Sequence, residues 1–295
     1  MNTKKMLFAT KFNELRFDAL QSLLNLRKAS YNHVVFLTAI ETQKVAMHRG
    51  IGYQKREEVK LKEKANIRFI DWAETLFEQG MEVGVYIVIG SFIGQLVKAA
   101  KKEEADLIVM GRTRKKRFEQ FYSGSDITEI IKRTLIPILI YSKPQKDRGA
   151  NVDFKPFDRP ILAVDWSPVC QEAVEYLKGL SDVVQRVEIV HVADENELKG
   201  SSAMGIQKTR KEVMKKLEKI CDELESVGID SRPHVYIGDK NAEIEKAAIE
   251  CQATMIIAGA HKNAWKERLI GSIPKKLAEK STFPVLLISA GPKKE

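Results

Sequence analysis

The chain reads as an α/β protein of two tandem domains, each a five-stranded parallel sheet flanked by helices. Three observations carry that reading. Short apolar runs alternate with amphipathic stretches along the whole length, the pattern of parallel α/β folds. The apolar runs are continuous in Val, Ile and Leu, as strands are when helices cover both faces of their sheet. The order also occurs twice. Residues 106–141, DLIVMGRTRKKRFEQFYSGSDITEIIKRTLIPILIY, and residues 254–288, TMIIAGAHKNAWKERLIGSIPKKLAEKSTFPVLLI, share one plan. Each has an apolar run ending in Gly, a basic loop, a Gly-Ser pair, a helical stretch, then Pro and a second apolar run. A repeat of this length marks two copies of one folding unit.

The register follows by subtraction. Gly80 and Gly228, Gly90 and Gly238, and Gly111 and Gly259 are each 148 positions apart. Gly124 and Gly271, and Pro137 and Pro284, are 147 apart, which places one deletion inside the second basic loop. Upstream, ILAVDWSPVCQEAVEYL (161–177) aligns with LFATKFNELRFDALQSL (7–23), setting Asp165 against Lys11 and Ala173 against Ala19. The domains are placed at 1–145 and 159–295, joined by a linker at 146–158 within a polar stretch that carries Pro144 and Pro156. At 295 residues, each half is long enough to bury its own core.

In the second half, residues 161–165 form the first strand. Ser167 is placed to cap the next helix, with Pro168 in its first turn. Residues 187–192 are the second strand. A long helix over 208–228 ends at Gly228, a C-terminal stop signal. Strands at 232–238, 254–259 and 284–289 alternate with helices at 240–252 and 271–281. The first half repeats this order and adds a charged helical insertion over 48–79.

Composition excludes several classes. The longest uncharged stretch, Val83 to Val97, contains Gly, Ser and Gln and suits a strand and helix start rather than a membrane span. The N-terminus lacks a signal-like apolar core. Cys170, Cys221 and Cys251 are widely spaced, without a CxxC or a nearby His, so reduced thiols in a cytoplasmic protein are expected and a metal site is not. The net charge of +9 fits a Lys-rich solvated surface.

In an open parallel sheet, ligands bind beyond the carboxyl ends of the strands, where strand order reverses. Asp165-Trp166-Ser167, His191-Val192 and the segment Gly259 to Ser272 would reach that edge. Gly259 permits a tight turn and close backbone approach. Gly271-Ser272 opens a helix whose free N–H groups suit an anion. Asp165 can accept from an adenine amino group or a ribose hydroxyl, and Lys262 and Lys266 add positive charge. Each feature alone is commoner as a turn or a cap; together, and twice, they indicate a binding site.

This set resembles the universal stress protein family, whose signature G-x2-G-x9-G-[ST] follows the fourth strand and whose Asp follows the first. The resemblance covers nearly the whole chain as two copies. It implies Rossmann-like (adenine nucleotide alpha hydrolase-like) domains that bind AMP, ADP or ATP, with magnesium as a candidate companion of the phosphates. The implied site of the second half comprises Val164, Asp165, His191, Val192, Ala258 and Gly259, with His261, Lys262, Gly271, Ser272 and Ile273. Its counterpart comprises Thr10, Ala39, Met110 and Gly111, with Thr113, Arg114, Gly124 and Ser125. The resemblance further implies that PILIYS and PVLLIS pair, so that one chain imitates a dimer, with a homodimer of whole chains also open.

The departures separate the halves. The first keeps Gly111 and Gly124-Ser125 but has Arg114 at the second Gly position and Lys11 in place of the Asp. Thr38 stands opposite His191. The second keeps Asp165, Gly259 and Gly271-Ser272 but has Lys262 for the middle Gly and a loop one residue short. Binding is therefore expected mainly in the second half, as a sensor or regulator acting through partners in a stress response. For the first half, degenerate or partner-dependent binding stands level with real binding. Lys262 could block the outer phosphates or pair with them.

Three rivals remain. No P-loop and no GxGxxG after a strand occurs, and no dedicated base is legible, so an enzyme reading reduces to slow ATP hydrolysis. The basic run Arg112 to Arg117, followed by Phe118, Phe121 and Tyr122, is set down as a solvated loop rather than a nucleic-acid contact. A nucleotide-free scaffold for protein partners is the third.

Overall fold

The computed structural model of the chain describes residues 3–10, 17–42, 55–112, 124–142, 154–193, 203–260 and 271–289. The first half runs β1 (Lys4–Ala9), α1 (Phe17–Gln21), a 3-10 helix (Leu24–Ala29), β2 (Tyr31–Ile40), α2 (Lys55–Glu78), β3 (Glu82–Ile89), α3 (Phe92–Lys102), β4 (Leu107–Gly111), α4 (Gly124–Arg133) and β5 (Ile138–Tyr141). The second runs β6 (Pro160–Ala163), α5 (Pro168–Lys178), β7 (Arg186–Ala193), α6 (Ala203–Glu225), β8 (Asp230–Ile237), α7 (Lys240–Glu250), β9 (Met255–Gly259), α8 (Ser272–Lys280) and β10 (Val285–Ile288).

Strand order is β3-β2-β1-β4-β5-β10-β9-β6-β7-β8 in one ten-stranded sheet. Within each half all neighbours are parallel. Between the halves β5 and β10 run antiparallel, with Ile140, Leu139 and Ile138 opposite Val285, Leu286 and Leu287. The expected pairing of PILIYS with PVLLIS is thus observed.

The local signals account for the elements. Ser167 is extended and its Oγ accepts from the Cys170 N–H at 3.3 Å, with Pro168 opening α5. Gly228 sits past α6 at φ +88°, a left-handed value that a side chain would strain, and its N–H bonds the Glu225 carbonyl at 2.9 Å. Several boundaries differ from expectation by a few residues. β6 ends at Ala163 because the chain leaves the strand at Trp166, whose φ is +61°. α6 begins at Ala203 rather than at Lys208, since Ala203, Met204 and Gln207 favour helix.

The expectation of one core per half is corrected. The apolar residues form two layers, one on each face of the joined sheet, and both layers draw on both halves. One layer holds Phe8, Phe36 and Leu139 together with Leu162, Ile189 and Leu286. The other holds Leu7, Val35, Ile138 and Ile140 together with Ile161, Val285 and Leu287. Side chains alternate along a strand, so an antiparallel seam of four-residue strands feeds both layers at once. No helix among the described residues is long and apolar enough to cross a membrane.

Among the described residues, polar contacts of Arg112 and of a tyrosine pair also join the halves. The Arg112 guanidinium donates to the carbonyls of Leu277 (3.2 Å), Ala278 (2.8 Å) and Phe283 (3.2 Å), and to that of Ser281. These carbonyls lie at and just beyond the C-terminus of α8, where the helix leaves acceptors unpaired and carries partial negative charge. On the other layer, Tyr31 at the start of β2 and Tyr176 of α5 hydrogen-bond through their hydroxyls at 3.1 Å.

Replacing Arg112 by Ala should cost about 2–4 kcal/mol, because several carbonyls lose a charged donor at once; a urea midpoint unchanged from the parent would contradict the clamp. The tyrosine pair carries a pH prediction. Burial pushes the Tyr31 hydroxyl from its ordinary 10 up to about 12 and raises Tyr176 well above its ordinary value. A raised folded-state pKa stabilises fully below the unfolded value and is lost as pH climbs through the folded one. Stability should therefore fall from about pH 10 upward, and less steeply in Tyr31→Phe, when urea unfolding is followed across that range.

Candidate functional site

In the second half β6 pairs with β9 on one side and β7 on the other, so strand order reverses at the carboxyl end of β6. Val164, Asp165 and Ser167 leave the sheet there. The Val164 N–H bonds the Val190 carbonyl at 2.8 Å, and Asp165 Oδ1 accepts from the Ser167 N–H at 3.1 Å. Asp165 thus helps shape the turn into α5. The Val164 carbonyl accepts from His191 at 2.8 Å; a carbonyl only accepts, so Nδ1 carries the proton. His191 therefore closes the end of the β6–β7 ladder as a structural link.

Val190 turns its main-chain polar groups toward β6. Two residues on, by the alternation of a parallel ladder, Val192 turns its N–H and C=O the same way, past the point where β6 has ended. On the β9 side, Ala258 pairs with Ala163, and Gly259 closes on the start of α5. A Cβ at Gly259 would stand 3.2 Å from Val169 Cγ1 and 3.3 Å from Val169 Cβ. This glycine is required for close packing of β9 against α5 as much as for a turn.

Gly271 precedes α8, whose first turn contains Ser272, Ile273 and Pro274 and no acid. Because α8 returns from the carboxyl end of β9 to the start of β10, its N-terminus lies at the same edge. Pro274 removes one N–H, which leaves the amides of Ser272 and Ile273 as donors there. His261, Lys262 and Lys266 lie outside the described residues.

Trp166 was expected at this edge beside Asp165, but with no part assigned to its side chain. The residue is 39% exposed, and its ring lies 5.0 Å from the His191 ring with Lys216 Nζ of α6 5.5 Å above it. The strand pattern brought 166 and 191 to one edge; Lys216 joins them only through the α6 crossover. Cys170 lies beneath this edge, its thiol pushed up to about 11 by burial and then by Asp165, so it is a silent thiol at neutral pH.

The first half has the same architecture with different chemistry. Thr10, Ala39 and Met110 are buried at the carboxyl ends of β1, β2 and β4, and Gly111 ends β4. The Thr10 N–H bonds the Leu37 carbonyl at 2.9 Å, as Val164 bonds Val190. Asp126 stands in the first turn of α4, placing negative charge where an anion would approach. Arg112, following Gly111, is committed to α8 across the seam. Lys11, Thr113 and Arg114 lie outside the described residues, and the side chain of Ser125 is not described.

Two tandem α/β units with glycine-bordered edges at their switch points define a Rossmann-like α/β protein. The Universal stress protein family model matches residues 2–142 and 156–289, and the chain belongs to that family in tandem form. Among curated relatives, Universal stress protein MJ0577 of Methanocaldococcus jannaschii is 28% identical over 153 residues, covering 45% of this chain and 94% of the relative. Universal stress protein YxiE of Bacillus subtilis is 26% identical over 146 residues, covering 45% of this chain and 99% of the relative. Each thus corresponds to about half of the chain. The crystal structure of a universal stress protein from Archaeoglobus fulgidus matches 99% of this chain and 100% of its own, with a TM-score of 0.72 at 20% identity, a likeness of fold.

The Gly259 contact gives a prediction of coupling. Gly259→Ala should cost about 1–3 kcal/mol through overpacking against Val169. The double variant with Val169→Ala should cost less than the two single losses added. A strictly additive cycle in urea unfolding would show that the two sites do not meet.

Proposed function

We propose that the second half binds an adenine nucleotide at the carboxyl edge of β6, β7 and β9, and that the chain acts as a nucleotide sensor or regulator through partners. The observation that carries this is the convergence of two unlike sets of main-chain groups on one switch point. Val192 offers an N–H and a C=O side by side, the pairing that the edge of an adenine ring satisfies. The first turn of α8 offers N–H groups without an acid, which suits a phosphate. Asp165 lies in the turn after β6, the strand between β7 and β9, as the acceptor for an amino or ribose hydroxyl group. With Pro274 withholding one amide, the helix end grips a short phosphate chain, so AMP or ADP is favoured over ATP, with magnesium following only the longer chain.

Two features favour a different task for the first half. Asp126 opposes a phosphate at α4, and Arg112 is spent on holding α8. We assign that half to scaffolding, with the domains at 1–145 and 159–295. The reading places the protein in the cytoplasm and asks for no catalytic residue.

The test is to denature gently purified protein and identify the released small molecules by mass spectrometry, then to titrate AMP, ADP and ATP by calorimetry. Near-stoichiometric nucleotide, with affinity falling at least about tenfold in Asp165→Ala, is expected, that being the loss of one hydrogen bond to a charged acceptor. An empty protein that also ignores added nucleotide would leave only the scaffold.

A further inference from the structure

Away from the nucleotide edge, the fold gathers three unlike metal-ligating groups. Glu188 of β7, His234 of β8 and Cys251, which ends α7, place one ligand atom each within 4.8 Å of one another. His234 Nε2 lies 2.7 Å from Glu188 Oε2 and 3.9 Å from Cys251 Sγ. Along the chain no His stands near a Cys in ligand spacing, and it was on that ground that no metal site was expected. The juxtaposition arises because β7 and β8 pair, with Val190 opposite His234, while α7 crosses back over them.

The composition suggests a Cys–His–carboxylate relay, but the geometry does not support one. In a relay the carboxylate holds one imidazole nitrogen and the thiol meets the other. Here both neighbours face Nε2, which carries at most one proton and serves one of them. Oxygen, nitrogen and sulfur converging on a single region is instead the arrangement of a coordination sphere.

The sister half shows that the fold does not require this cluster. By register, Glu188 stands opposite Ile161 as Val35 stands opposite Leu7, and His234 opposite Val190 as Tyr86 opposite Leu37. Cys251 and Glu103 follow α7 and α3 at the same distance before Gly259 and Gly111. Val35 is wholly buried, while Glu188 keeps only 6% of its surface exposed. Placing a carboxylate at a position the sister half fills with Val is unfavourable unless a positive charge compensates it. In the first half Tyr86 simply hydrogen-bonds Glu103.

We propose that Glu188, His234 and Cys251 form a binding site for a divalent transition-metal ion, zinc by donor set. Thiolate and imidazole select zinc and its neighbours over magnesium or calcium. Three protein ligands leave a fourth, solvent-facing position of a tetrahedral ion, and the His234 side chain, 31% exposed, marks the entry. Bond lengths of about 2.0–2.3 Å set ligand–ligand spacings of roughly 3.3–3.7 Å. The His234–Glu188 pair opens by about half an ångström, and the thiol closes on His234 by a few tenths and moves toward Glu188. On binding, the ion displaces the proton shared by His234 and Glu188, and the Cys251 thiol proton leaves to solvent. The site is independent of the nucleotide reading.

Cobalt(II) is the probe, titrated into the full-length protein. The wild type should develop a sulfur-to-cobalt charge-transfer band and the intense visible bands of a four-coordinate ion at about one equivalent. Cys251→Ser should abolish the charge-transfer band, and His234→Gln should weaken binding at least tenfold. No band in the wild type, or a band that survives Cys251→Ser and so belongs to Cys170 or Cys221, would overturn the site. If Cys251→Ser does not fold, the wild type decides by another route. Zinc should protect Cys251 from alkylation in peptide mapping, and equal labelling with and without zinc would overturn the proposal.

Discussion

The antiparallel seam between β5 and β10 is the constraint on which the rest of this molecule depends. Both strands are only four residues long, and their main-chain pairing alone is a weak bond between two domains. What makes the seam strong is its position. Each strand would otherwise be the exposed edge of an apolar sheet, open to pairing with another chain. Joining the edges removes that liability and extends two apolar layers across the whole molecule. Arg112 then fastens the end of α8 from the far side of the seam, and Tyr31 meets Tyr176 on the opposite layer.

The two halves share an architecture and divide the chemistry. The β6 switch point keeps an acid after the strand and a helix start free of acids. The β1 switch point has exchanged both properties, with a basic residue after the strand and Asp126 on its helix. Its arginine holds the seam instead of facing a ligand. A duplicated fold tolerates this because its stability resides in the buried layers, whereas recognition resides in a few edge residues that can change without disturbing them.

The same division explains what was legible. The repeat, the order of elements along each half and the caps at Ser167 and Gly228 are local or periodic signals, and they emerged where expected. The glycine at 259 was also legible, although its tightest constraint is contact with Val169, which no spacing reveals. Trp166 beneath Lys216, Arg112 on α8, and the Glu188, His234 and Cys251 cluster were not legible. Each joins residues from elements distant in sequence, and no local spacing shows which side chains will meet.

By itself, then, the sequence determined two α/β units, their register and the family to which they belong, because hydrophobic period and turn chemistry are written in consecutive residues. Only the tertiary structure decided that the units share two continuous cores, that one arginine spans them, and which side chains meet at each edge. Those outcomes follow from strand pairing and helix crossover, which bring together groups that the chain keeps tens of residues apart.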